Sequence, residues 1–316
     1  MITHHKNDTC SKHQKRENEV HFFPIMVVKV ETLDDYWTFD YSNFEFPARG
    51  DSLDGLRAYY GLFTHPAVAF ASVACYLLFS AGACSFIASS LGLTKASPSI
   101  KVLTIVHSLL LAVYSGWTFY NTFNIVSEVH GVYAAAGNSW YGAFSLMCCD
   151  GDGLLWNKFD MGSWIWHFYI SKYYEFVDTW IILLKGGKPM ILQTYHHAGV
   201  VLIMWSICVT QNSTCGLILT VLNSGIHTIM YTYYTLTALK IRLPMQVIIK
   251  QFITSSQITQ FLVGIASSAP TYFIKGCHTE ASTMSQAILH IYTVILIGLF
   301  ASFAHEEYVV KRRKAK

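Results

Sequence analysis

Seven apolar stretches, at 66–88, 101–125, 162–185, 190–210, 214–238, 244–268 and 286–305, dominate this chain. Each is near the roughly 20 residues a helix needs to cross about 30 Å of hydrocarbon. Backbone in hydrocarbon must satisfy its own N–H and C=O groups, which leaves helices or closed barrels. The short alternating segments of barrel strands are absent from the sequence. The expectation is therefore an all-α, polytopic membrane protein with seven transmembrane helices. Only 13% of the residues are charged, about half of what soluble domains carry. That excludes an ordinary soluble enzyme and gives no basis for binding nucleic acid.

Three regions follow. Residues 1–61 form an N-terminal region, of which the polar 1–20 read as disordered and 21–61, mixed and aromatic, as interfacial. Residues 62–308 form the membrane domain, and 309–316 a basic tail. Residues 1–20 have no apolar core of the kind a cleavable signal needs. Lysines and arginines fall on alternate loops: Lys95 with Lys101, Lys185 with Lys188, Lys240 with Arg242, and the tail from Lys311 to Lys316. By the positive-inside rule these face the cytosol, which places the C-terminus there and the N-terminus in the lumen. Sequons at Asn7 and Asn212 fall on the luminal side, although Asn212 is very close to the bilayer for modification. Arg313 and Lys314 resemble an endoplasmic-reticulum retrieval signal; ordinary positive-inside charge reads equally well. The eight cysteines make no metal-ligand pattern. Cys148, Cys149, Cys215 and Cys277 lie at or near the lumen, where disulfides persist, and Cys277 is expected to pair with one of the other three.

Polar residues inside these spans are costly and mark function. Lys172, Glu175 and Asp178, spaced three apart, share one helical face. Lys172 with Glu175 also reads as a purely structural ion pair. Gln193 precedes His196 and His197 by three and four residues, so one side of a helix carries all three. An imidazole oriented by an amide has a defined tautomer. Asn223, His227 and Tyr231 repeat every four residues, with Tyr234 following. Thr254, Gln257 and Gln260 repeat every three, a pattern that interhelical hydrogen bonding also explains. His107, His167, His290 and His305 lack such companions and read as structural or interfacial. His196 and His197 lie roughly 10 Å in from the cytosolic end of their span. A polar site at that depth suits a substrate that is mostly hydrocarbon with one reactive polar end, such as an acyl thioester. Histidine serves there as base, acid or nucleophile. No cysteine shares these faces, which argues against thiol-based condensation.

Four motifs carry a resemblance. Lys172, Glu175, Asp178 and Thr179 resemble the KxxExxDT element of the very-long-chain fatty acid elongase (ELO) family. Gln193, His196 and His197 resemble its histidine box. Asn223, His227, Tyr231 and Tyr234 are similar to its NxxxHxxMYxYY element, and Thr254, Gln257 and Gln260 to TxxQxxQ. The order is the family's, and the motifs span the third to sixth apolar stretches.

The resemblance implies 3-ketoacyl-CoA synthase activity in the endoplasmic-reticulum membrane, with seven helices enclosing an acyl-chain tunnel. Acyl-CoA and malonyl-CoA are the implied substrates, without bound cofactor or metal. Ketoacyl reductase, dehydratase and enoyl reductase are the implied partners, and a homo-oligomer is left open. His196 or His197 would take the acyl group, with His227 and Asn223 stabilising oxyanions and Lys172 meeting a CoA or carboxylate group. The remaining motif residues would bind or orient substrate. One position departs: most members have His at the first box position, where this chain has Gln193, which cannot titrate and is a poor metal ligand. A Gln-first box resembles protist and algal elongases that often act on polyunsaturated chains. A di-iron desaturase needs more clustered histidines than this chain has. A transporter leaves the order of the four motifs unexplained.

Overall fold

The computed structural model describes residues 29–38, 40, 58–137 and 140–310. Eleven helices carry the argument. They are α1 (Asp35–Thr38), α2 (Tyr60–Thr64), α3 (Pro66–Ser90), α4 (Pro98–Ala135), α5 (Trp140–Cys148), α6 (Met161–Tyr174), α7 (Phe176–Leu184), α8 (Ile191–Thr210), α9 (Ser213–Ala238), α10 (Gln246–Ser268) and α11 (Glu280–His305). No strand occurs among the described residues.

Local chemistry sets the helix starts. Pro66 and Pro98 open α3 and α4 at the first helical turn, where a missing N–H costs nothing. Asn212 caps α9 by accepting from the Cys215 N–H, and Thr279 caps α11 by accepting from the Ser282 N–H.

Five helices are long and apolar enough to cross a membrane: α3, α4, α8, α9 and α11 with its short extension to Val310. The stretches 162–185 and 244–268 are also helical but fall short of that standard. The first is divided at Glu175 into α6 and α7 and holds Lys172, Glu175 and Asp178. It lies at the centre of the bundle, with nearly every residue from Met161 to Tyr169 buried. By contrast, α3, α4 and α11 present large apolar side chains outward, with Leu78 74%, Tyr120 66% and Ile291 64% exposed. Without lipid that surface would be untenable. Helix α4 runs well past the expected 101–125; at 38 residues it is about 57 Å long, more than the hydrocarbon requires.

The packing places the polar helices against each other. Helix α9 lies along α4, and α8 packs against α3, α6 and α11. Gly216 on α9 has no room for a Cβ because the Ile165 side chain of α6 fills that space.

One end of the bundle is strapped. The Val30 N–H donates to Val209 O (3.0 Å), and the Ala281 N–H donates to Glu31 O (2.9 Å). Tyr36 OH donates to Ala281 O. Cys277 pairs with Cys149, joining the segment after α5 to the one before α11. Beside it, Gly151 packs so closely on Gly276 O that a Cβ would stand 2.8 Å away. Asp150 accepts from the N–H groups of Leu155 and Trp156 and from Ser213 Oγ. Burial nevertheless pushes its carboxyl above the usual range. Asn212 is buried, and its amide donates to Ser282 O while its oxygen caps α9. It is therefore closed to glycosylation in the folded chain. Asn7, residues 1–20 and the tail from Lys311 lie outside the described residues.

The disulfide predicts a mobility shift on non-reducing gels. Cys149→Ser and Cys277→Ser should abolish it, while Cys148→Ser and Cys215→Ser should leave it intact.

Candidate active site

The break at Glu175 sits where the charge is concentrated. Glu175 turns the chain between α6 and α7 with its N–H still bonded to Ser171 O. Its carboxylate is buried, and Lys172 Nζ donates to Oε1 at 2.6 Å. Lys172 also donates to Asn223 Oδ1 (3.3 Å) and lies over the Phe168 ring. The expected ion pair is present, and the same lysine holds the asparagine of the neighbouring helix.

Two histidines approach the same carboxylate. His227 Nδ1 stands 3.6 Å from Glu175 Oε1, and His197 Nδ1 4.0 Å from Oε2. Both gaps exceed hydrogen-bond length. His197 Nδ1, His227 Nδ1 and Glu175 Oε2 are buried without a hydrogen-bond partner among the described residues. Such groups are costly, and they gather at sites that tighten when a ligand enters.

His196 is held differently. Tyr292 OH donates to His196 O (3.0 Å), so its oxygen is left to accept from His196 Nδ1 (3.2 Å). That assigns the Nδ1–H tautomer and leaves Nε2 with a lone pair. Gly199 makes this possible, since any Cβ there would collide with the Tyr292 ring. The His196 and His197 rings stack, with centroids 5.4 Å apart.

A third cluster surrounds Asp178. His107 Nε2 lies 3.0 Å from Oδ1, and Tyr231 OH donates to Oδ2 at 2.6 Å. His107 is the functional candidate that the pattern of residues did not single out. It stands alone on α4, and its partner is distant in sequence. The nearest signal was the cost of any imidazole within an apolar span.

These groups border a cavity of about 840 Å³. Asp178, Gln193, His196, His197, His227, Tyr231, Tyr234, Thr254 and Gln257 all line it. So do Lys95, Lys101, Lys185, Lys240 and Lys250, at or beside the helix ends on one side of the bundle. Thr254 Oγ1 bonds Tyr308 OH (3.0 Å), and Gln257 donates to Met230 Sδ. Lys172 and Glu175 stand behind the wall rather than in it. Asn223 and Gln260 line a second, largely apolar pocket of about 40 Å³ between α9, α10 and α11. The Gln260 side-chain oxygen is buried there without a partner among the described residues. No group of three or more His, Cys, Asp or Glu among the described residues is arranged to hold a metal ion.

The model of the family described as "ELO: GNS1/SUR4 family" matches residues 61–316. The chain is 32% identical over 218 residues to the fatty acid elongase sre1 of Dictyostelium discoideum, covering 68% of this chain and 75% of that protein. It is 35% identical over 156 residues to the human very long chain fatty acid elongase 3, covering 48% of this chain and 56% of the relative. To fatty acid elongase 3 of Trypanosoma brucei brucei it is 27% identical over 271 residues, 79% of this chain and 87% of that one.

Removing one member of a buried ion pair leaves an uncompensated charge. Lys172→Met should therefore destabilise the protein by about 3–5 kcal/mol. Lys172→Met with Glu175→Gln should cost clearly less than the sum of the two single changes. Unfolding in detergent, followed by tryptophan fluorescence, measures this cycle.

Proposed function

The chain belongs to the ELO family, and from that premise we infer that it is a fatty acid elongase. It condenses an acyl-CoA with malonyl-CoA to give a two-carbon-longer 3-ketoacyl-CoA, CO2 and CoA. The observation that carries this reading is the single cavity with lysines at one end and His196, His197 and His227 further in. CoA esters have the same polarity: an anionic nucleotide, a thioester and then hydrocarbon. Ammonium groups pair with the phosphates, and the thioester reaches the imidazoles.

The chemistry assigned to these residues runs in two halves. The Nε2 lone pair of His197 attacks the thioester carbonyl carbon. The C–S bond breaks, CoA leaves as a thiolate, and an acyl-imidazole forms. The Nδ1 proton moves toward Glu175, which balances the charge on the ring. His196, with its lone pair also on Nε2, is the alternative nucleophile. Malonyl-CoA then loses CO2, and the electron pair of the broken C–C bond becomes an enolate. The enolate carbon attacks the acyl carbon, the C–N bond breaks with its electron pair going to Nε2, and the proton returns from Glu175 to Nδ1, which regenerates the neutral imidazole. His227 lines the cavity and is assigned to stabilise the oxyanions; Asn223, which accepts from Lys172 and lines the smaller pocket, is not given the expected contact with them. Lys172 supports this work by keeping Glu175 ionised and Asn223 oriented. Gln193, Tyr231, Tyr234, Thr254 and Gln257 shape the substrate path, whereas Gln260 faces the smaller pocket instead. This placement replaces the expected direct contact between Lys172 and substrate.

The helices 161–184 and 246–268 complete seven spans in this reading. Their charged and polar faces turn inward, where a neighbouring helix replaces lipid. The lysine-lined end faces the cytosol, which supplies CoA esters. The N-terminus is then luminal, the C-terminus cytosolic, and the membrane that of the endoplasmic reticulum. The disulfide falls at the luminal end, as its chemistry requires. The preference for polyunsaturated acyl chains rests on the resemblance of the Gln193-first box to those of protist and algal elongases.

The test is purified protein with labelled malonyl-CoA and a panel of saturated and polyunsaturated acyl-CoAs. A 3-ketoacyl product is expected from wild type and none from His197→Ala. The polyunsaturated chain should have a several-fold higher kcat/KM than the saturated chain of equal length. No product from folded protein with any acyl-CoA would contradict the reading. The KM for both CoA substrates should also rise with ionic strength, because the lysine–phosphate attraction is screened.

A further inference from the structure

His107 belongs to none of the four motifs, and the two-step chemistry makes no use of it. It is nonetheless 1% exposed, within an apolar helix, and borders the cavity. Its Nδ1 is buried with no hydrogen-bond partner among the described residues. The one bond that the ring makes is therefore Nε2–H to Asp178 Oδ1, at 3.0 Å. The ring is wedged against Tyr174, with centroids 5.0 Å apart, so its direction is set.

Asp178 is held on two sides. His107 comes from α4, Tyr231 comes from α9, and each occupies one carboxylate oxygen. A carboxylate offers about four acceptor positions, so about two stay open. Its side chain is 19% exposed, and the residue lines the cavity. Of the two ends of the cavity, one carries the lysines and the other the histidines; Asp178 is one turn from Glu175 on the way to Lys185. A carboxylate there repels phosphates and the malonyl carboxylate alike. The group it receives must be a neutral donor. The only part of a CoA ester that carries such donors between phosphate and thioester is the pantetheine arm, through two amide N–H groups and one hydroxyl, of which an amide N–H is nearest the sulfur.

We propose that His107 is a positioning residue, orienting Asp178 so that its free lone pairs accept an amide N–H of the pantetheine arm. The proposal rests on the elongase reading and deepens it. The same contact serves acyl-CoA and malonyl-CoA, since both carry the arm. It places the thioester at a fixed depth relative to His197.

The experiment compares two acyl donors with malonyl-CoA as extender. One is the N-acetylcysteamine thioester, which keeps the amide nearest sulfur. The other is the pentyl thioester of the same acid, of equal length without the amide. Wild type should prefer the first by about tenfold in kcat/KM, a factor that a hydrogen bond to a charged group supports. His107→Leu should lose the preference, and His107→Gln, with an N–H at the end of its side chain, should restore it. Retention of the full preference in His107→Leu overturns the proposal. So does equal loss in His107→Leu and His107→Gln, or no preference in wild type. If His107→Leu does not fold, Tyr231→Phe removes the other bond to Asp178. It should weaken the preference, and an unchanged value overturns the proposal. Failure of wild type to use acyl-CoA itself would instead contradict the elongase reading.

Discussion

A carboxylate buried at the depth of Glu175 is tolerable only if it is paired, and the arrangement of this bundle follows from that requirement. Lys172 supplies the charge from one turn away on the same chain segment. A lysine so placed has further N–H donors, and one of them reaches Asn223 on α9. His227, from the same α9, and His197, from α8, complete the surroundings. Three segments, α6–α7, α8 and α9, thus meet at one negative charge, and none can move independently without stranding it. The cost of burying the charge is offset only in this packing.

The polar groups nearest the cavity are then divided by role. Lys172 and Glu175 are withdrawn behind the wall and pair with one another. The three site histidines and Asp178 line the wall. This separation matters for a histidine nucleophile. A carboxylate in the place of the rings would itself meet the thioester, whereas one behind the ring can only tune its proton. Tyr292, lodged against Gly199, performs the corresponding service for His196 through a neutral hydroxyl. The two adjacent histidines consequently have unlike supports, one ionic and one neutral.

Much of this was legible in the sequence where the interacting groups are close along the chain. Spacing of three predicts that Lys172 meets Glu175, and spacing of three and four puts Gln193 on the side of His196 and His197; all three line one cavity. The apolar stretches located the helices because hydrocarbon length is a hard physical limit. What was not legible depends on distance through the fold. His107 finds Asp178 far along the chain, and no periodicity on α4 announces it. Cys277 had three plausible partners, and only the approach of Gly151 to Gly276 explains why Cys149 is the one. The division of 162–185 at Glu175 was hidden because no Gly or Pro marks the break. The length of α4 was hidden too, since its last turns are polar yet remain helical.

The central claim is that an imidazole next to the Glu175 carboxylate carries the acyl group. The most direct measurement is to mix the protein with labelled acyl-CoA in the absence of malonyl-CoA and analyse the denatured chain by peptide mass spectrometry. The account predicts stoichiometric release of CoA and an acyl mass on the peptide containing His196 and His197, absent from His197→Ala and discharged by malonyl-CoA. Release of CoA only when malonyl-CoA is present, with no acyl mass on any peptide, would contradict it.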